Sequence, residues 1–148
     1  MTDFADTLAQ PAPGDPALSI IPLGGVGEIG LNMTVLECGG DIMVIDAGLM
    51  FPDAEMLGVD IVIPDFSYLL ENRDRIRGVV LTHAHEDHIG ALPFLLKELK
   101  IPVYGTRLTL GFVREKLREH DLDGEAQLIP VRPGTWRSWA ASGSNSSA

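Results

Sequence analysis

His83-Ala84-His85-Glu86-Asp87-His88 gathers three of the chain's four histidines and two carboxylates into six positions. Imidazole nitrogen and carboxylate oxygen are ligands that divalent zinc takes, and a catalytic zinc keeps one position open for water. Side chains alternate along an extended segment, so His83 and His85 project the same way. Asp87 and His88 come from the turn and the start of the next helix, where they face a second metal close by. A polar loop that happens to contain histidines is the alternative. A lone histidine would leave the two equal; this density does not. The apolar run Gly78-Val79-Val80-Leu81-Thr82 lies immediately upstream. It reads as the strand whose end delivers the cluster.

The elements around that strand follow from pattern. Residues 19–23 form a short strand, ended by a glycine cluster that begins at Gly24. Residues 33–38 and 41–46 are two strands, and Gly39-Gly40 between them is a hairpin signal. Residues 47–64 form a long loop, residues 68–76 a short helix, and residues 79–82 a buried strand. Residues 87–100 place Ile89, Leu92, Leu95, Leu96 and Leu99 on one face of a helix, with Pro93 kinking it or delaying its start. Residues 102–105 are a short strand, 107–120 a second amphipathic helix and 127–131 a last strand. A hairpin preceding the strand–helix alternation predicts a mixed α/β sandwich rather than a doubly wound sheet.

Bulk composition narrows the classes. With 148 residues, 45% hydrophobic and 22% charged, the chain suits one domain with a modest core. The formal charge of −10 gives no overall attraction for phosphate backbones. Bound divalent cations would reverse that sign locally. Cys38 is the single cysteine, which excludes an internal disulfide and fits a reducing compartment. The first ten residues hold Asp3 and Asp6, no Lys or Arg and no apolar core, so no secretory signal is expected. No apolar stretch approaches the roughly 20 residues of a membrane span, and the expected location is the cytoplasm. Residues 1–17, rich in Pro and Ala, read as a flexible leader.

Gly25-Val26-Gly27-Glu28-Ile29-Gly30 matches the dinucleotide fingerprint G-x-G-x-x-G after a strand. The fingerprint requires a helix next, whose N-terminus receives the pyrophosphate. Residues 31–38 are short and β-rich, so a cofactor is not expected. The glycines instead let backbone run close to a neighbouring strand or site.

Taken together, these phrases resemble a known family. His83-Ala84-His85-Glu86-Asp87-His88 is similar to the H-x-H-x-D-H signature of the metallo-β-lactamase fold. Leu23–Gly30, Ile45–Pro52, Glu55–Asp60, Ile63–Leu69, Glu86–Pro93 and Pro102–Thr106 resemble bacterial ribonuclease J, of the β-CASP branch. The likeness runs from about Leu18 to Gly134. Leu31 departs from the lysine expected there, which touches a peripheral contact. The resemblance implies the N-terminal half of an αββα sandwich with ligands at strand ends. It implies zinc-dependent hydrolysis of RNA phosphodiesters, both 5′-to-3′ exonucleolytic and endonucleolytic, with RNA as partner and self-association when full length. Carried over residue by residue, His83 and His85 hold one Zn²⁺ and Asp87 and His88 the other. Asp46 braces the histidine loop by hydrogen bonding, and Glu86 is no ligand but faces solvent or a basic neighbour. Gly58, through its carbonyl, and Asp60 match a Ca²⁺ site of some members; an acidic solvated loop explains them at least as well. His120 reads as a charge near a helix C-terminus or as simply exposed.

The family's full site needs a further histidine, a bridging aspartate and a last histidine. After His88 the chain has only His120, and no Asp follows Asp123. The expectation is therefore residues 18–134 as part of a metallo-β-lactamase domain, inactive alone, with an apolar sheet face left exposed. Residues 135–148 hold both tryptophans and then a small, polar, aperiodic run. They are expected to be disordered. One permitted codon choice for them, read one base earlier, yields a strand-like alternation, which suggests a shifted frame after Gly134; a natural short chain is the alternative. Two other functional readings stand beside the nuclease. One is a hydrolase of the same fold acting on a thioester or lactone. The other is a non-catalytic fragment that binds a metal or a partner.

Overall fold

A computed structural model describes residues 14–132 and 134. The expected leader falls mostly outside the described residues, and the expected tail at 135–148 falls outside them entirely. Six strands form one sheet in chain order: β1 (Ser19–Gly24), β2 (Met33–Cys38), β3 (Asp41–Ile45), β4 (Ile76–Val80), β5 (Val103–Gly105) and β6 (Leu128–Pro130). β1, β2 and β3 are antiparallel neighbours, and β3 through β6 run parallel. Cys38 pairs with Asp41, so Gly39-Gly40 closes the hairpin as a two-residue loop. The parallel half needs crossovers. These contain α1 (Ser67–Glu71), α2 (Glu86–Ile89), α3 (Leu92–Glu98) and α4 (Arg107–Glu119).

Alternation divides the sheet into two faces. Met33, Val35, Ile42, Val44, Val79 and Val103 are buried in one cluster with Leu69 of α1, Leu92 and Leu95 of α3 and Val113 of α4. The opposite face carries Leu36, Met43, Ile45 and Val80, each only half-buried. The described chain is thus one mixed sheet with one helical layer, half of an αββα sandwich.

Three elements differ from the sequence pattern. The helix expected over 87–100 is two helices. Ala91 N–H is drawn off to the Ala47 carbonyl (2.8 Å), which interrupts the helical ladder at Gly90-Ala91. Pro93 then sits in the first turn of α3, where its missing N–H costs nothing. The helix expected over 68–76 is α1 followed by one 3-10 turn at Arg73–Arg75. Asn72 Nδ2 donates back to the Tyr68 carbonyl (2.8 Å), the local side-chain bond that competes with helix continuation. The strand expected at 79–82 is β4, starting at Ile76. Its early half is disguised by Arg77, whose Nε donates to Asp41 Oδ1 across the sheet (2.7 Å).

A candidate metal centre at the mouth of β3 and β4

The site lies where β3 and β4 end side by side. Asp46 follows β3 with φ +60, one of the few non-glycine residues in the left-handed region. Asp and Asn tolerate that region best among residues with a side chain. Asp46 N–H still donates to the Val80 carbonyl (2.9 Å), so the turn stays attached to β4. Residues 47–49 are then stitched to the histidine loop. Ala47 N–H donates to the His88 carbonyl (2.8 Å) and Leu49 N–H to the Glu86 carbonyl (3.1 Å). Gly48 lies directly against this loop. A Cβ there would stand 1.6 Å from the Asp87 carbonyl oxygen, so no other residue fits.

The Asp46 side chain, 6% exposed, is the hub. Oδ1 accepts from Thr82 N–H (2.8 Å) and Oδ2 from the Thr82 hydroxyl (2.7 Å). His88 Nδ1 lies 2.8 Å from the same Oδ2. A carboxylate only accepts, so His88 donates from Nδ1 to Asp46, and its Nε2 edge is turned toward Asp87. The Thr82 hydroxyl, its proton given to Asp46, offers a lone pair to His83 Nδ1 at 3.0 Å. His83 thus donates from Nδ1 as well. Hydrogen bonding of one ring nitrogen to a carboxylate or its relay is how metal-binding imidazoles are held in orientation.

The rings gather. The His83 centroid lies 4.5 Å from that of His85 and 4.0 Å from that of His88. His88 Nε2 and Asp87 Oδ2 are 3.4 Å apart. Two ligands on one tetrahedral zinc, bonded at about 2.0–2.1 Å, lie about 3.3–3.4 Å apart, the separation seen for this pair. Among the described residues, no group of three or more His, Cys, Asp or Glu side chains forms a metal-holding cluster. The donors stand as pairs, fewer than the three or four protein ligands a tetrahedral site uses. Glu86 turns away from the pairs and accepts from Lys116 Nζ of α4 at 2.8 Å. Gly58 and Asp60 lie exposed in the loop between β3 and α1. His120 caps the end of α4, and its ring meets Phe94 edge-on at 5.3 Å. A cleft of about 690 Å³ opens beside Asp87, with Ile29, Met50 and Phe51 among its walls.

Residues 26–139 match the model of the Metallo-beta-lactamase superfamily. The chain belongs to that superfamily. Within it, the chain is 57% identical over 112 residues to Ribonuclease J2 of Bacillus subtilis, covering 76% of the chain and 20% of the relative. It is also 57% identical over 106 residues to Ribonuclease J of Helicobacter pylori, covering 72% of the chain and 15% of the relative. The resemblance to ribonuclease J holds, and the chain spans about a fifth or less of the length of these curated relatives. The solved structure of unliganded yeast PDE1 superposes with a TM-score of 0.52 at 14% identity, over 82% of this chain and 52% of that one. That likeness concerns the fold alone. Among the described residues no helix is long and apolar enough to cross a membrane.

Two residues of the site escape a reading of the sequence. Thr82 shows there only as the end of a strand, and Asn32 not at all. Its position next to His83 is the available signal for Thr82. For Asn32 it is the glycine run just before it.

Proposed function

We propose that this chain is the N-terminal part of the metal centre of a zinc-dependent ribonuclease. His83 and His85 would hold one zinc and Asp87 and His88 a second, with Asp46 and Thr82 orienting the imidazoles. The substrate would be RNA, cleaved at phosphodiester bonds from the 5′ end and internally. The single observation that carries the reading is the Asp46–His88 bond, which orients the ring with Nε2 at zinc-spanning distance from Asp87 Oδ2. The high identity to proteins named ribonuclease J supports RNA as the substrate class.

Divalent metal supplies a water of lowered pKa and neutralises charge on the attacked phosphate. The chain's own groups do the rest. Asp46 fixes the orientation of the His88 ring, and the Thr82 hydroxyl does the same for His83. The cleft beside Asp87 gives a nucleotide room to approach, and Lys116 keeps the Glu86 carboxylate off the site. In this reading the 148-residue chain is inactive by itself. Self-association and a cytoplasmic location of the longer protein belong to the same reading. The Ca²⁺ suggested at Gly58 and Asp60 gains nothing from their exposed setting.

A chimera tests this. Residues 18–134 replace the matching segment of the Helicobacter pylori relative, and the product is assayed on 5′-monophosphorylated RNA. The expected result is hydrolysis that a chelator and Asp87→Ala each abolish, with none from the 148-residue chain alone. Hydrolysis that survives both would refute the assignment.

A further inference from the structure

Asn32 stands between the two donors of the Asp87–His88 pair. Its side-chain nitrogen lies 3.3 Å from Asp87 Oδ2, 3.3 Å from His88 Nε2 and 3.0 Å from the Asp87 backbone carbonyl. In the neutral ring that donates from Nδ1 to Asp46, Nε2 and Oδ2 are both acceptors, 3.4 Å apart. Two lone pairs converging on one place repel unless a donor or a cation lies between them. An amide NH₂ brings two protons and no charge. One serves the Asp87 carbonyl, and the other is shared by Oδ2 and Nε2.

The chain is built to put the amide there. Gly25 makes room: a Cβ at that residue would come within 2.8 Å of Asn32 Oδ1. Glu28 closes the glycine loop by accepting from Gly25 N–H (3.0 Å). Leu31, at φ +55, turns the backbone in the left-handed sense just before Asn32. Such conformations persist where surrounding structure enforces them, and they concentrate at functional sites. Asn32 N–H donates to the Asp87 carbonyl (3.2 Å), and the Asn32 carbonyl accepts from Gly48 N–H (3.0 Å). Gly25, the first glycine of the fingerprint-like run, thereby acquires a purpose other than a dinucleotide.

Resting on the proposed assignment of Asp87 and His88 as ligands, we infer that Asn32 is a positioning residue for that metal. Its amide holds Oδ2 and Nε2 convergent while no metal is present. Once Nε2 is committed to a metal, the amide remains on Asp87 and keeps the carboxylate aimed. Loss of such an outer partner lowers metal affinity by about 10- to 100-fold.

The test uses the 148-residue chain and Co²⁺, with affinity read by titration and ligand geometry by the visible d–d bands. Asn32→Leu keeps the side-chain shape and removes the donor. The expected result is affinity weakened by about 10-fold or more, with altered bands and an unchanged far-ultraviolet spectrum. Asp87→Ala is the companion variant. If Asp87→Ala weakens binding and Asn32→Leu does not, the inference about Asn32 fails while the ligand assignment survives. If Asp87→Ala also binds as the unaltered chain does, the assignment itself fails and the inference with it. Should the leucine variant not fold, the unaltered chain answers by NMR. The Asn32 side-chain amide protons must shift and broaden at the same Co²⁺ concentrations as the His88 ring. Their staying fixed while His88 responds overturns the inference.

Discussion

Replacing Asp46 by Asn isolates the role of the hub, because volume and left-handed backbone are kept. Oδ1 still accepts from Thr82 N–H. An NH₂ now stands where Oδ2 accepted from Thr82 and faced His88 Nδ1. The Thr82 hydroxyl can rotate to accept instead. His88 has to become an acceptor at Nδ1, which moves its proton to Nε2, toward Asp87 Oδ2. Bonds to a charged group are worth about 1.5–3 kcal/mol and neutral ones about 1. Exchanging all three bonds of the carboxylate for neutral ones costs about 1.5–6 kcal/mol of stability, toward the lower end beside an exposed Thr82, measurable by urea denaturation. Metal affinity falls further, by about 10- to 100-fold, because the ring presents its wrong nitrogen. Co²⁺ titration measures the affinity and ¹⁵N NMR of the imidazole measures the tautomer. An Asp46→Asn variant with His88 Nε2 still unprotonated and affinity unchanged would refute the tautomer argument.

Gly48→Ala forces a Cβ into the Asp87 carbonyl and displaces the loop. Overpacking of this kind costs about 1–3 kcal/mol or more, and thermal melting should show it together with weaker Co²⁺ binding. Leu95→Ala, in the fully buried heart of the core, is expected to cost about 2–5 kcal/mol in denaturant unfolding. Lys116→Met breaks the partly exposed pair with Glu86 and should change stability by less than about 1 kcal/mol. Tyr68 and, next, Arg75 hold the Glu37 carboxyl below its ordinary value through hydrogen bonds. A lowered native pKa gives stability that is complete above the unfolded-state value, near 4.5, and that is lost as pH falls through the native one. The unfolding midpoint should therefore drop as pH decreases from about 5, and Glu37→Gln should flatten the drop.

The histidine loop, the hairpin and the sheet's mixed character are legible in the sequence because each is a local signal: ligand density, Gly-Gly between alternating runs, strands followed by helices. What is not legible depends on contacts distant in the chain. Ala91 surrenders its helical bond to Ala47, far upstream, so one apolar period becomes two helices. Ile76 and Arg77 fall outside the apolar run read as a strand, and only the fold shows Arg77 on β4 paired with Asp41 of β3. The Gly25–Gly30 run matches a dinucleotide fingerprint, and only the fold shows that Gly25 leaves room for Asn32 beside Asp87. Asp46 is named by its place in a familiar phrase, but its two bonds to Thr82 emerge only when β3 and β4 end together.

The most direct measurement is anomalous diffraction at the zinc edge from crystals of the chain grown with Zn²⁺. A peak within bonding distance of His88 Nε2 and Asp87 Oδ2, with the Asp46–His88 bond intact, is the expected result. Zinc bound only elsewhere, with Asn32 still occupying the space between those two atoms, would contradict the account.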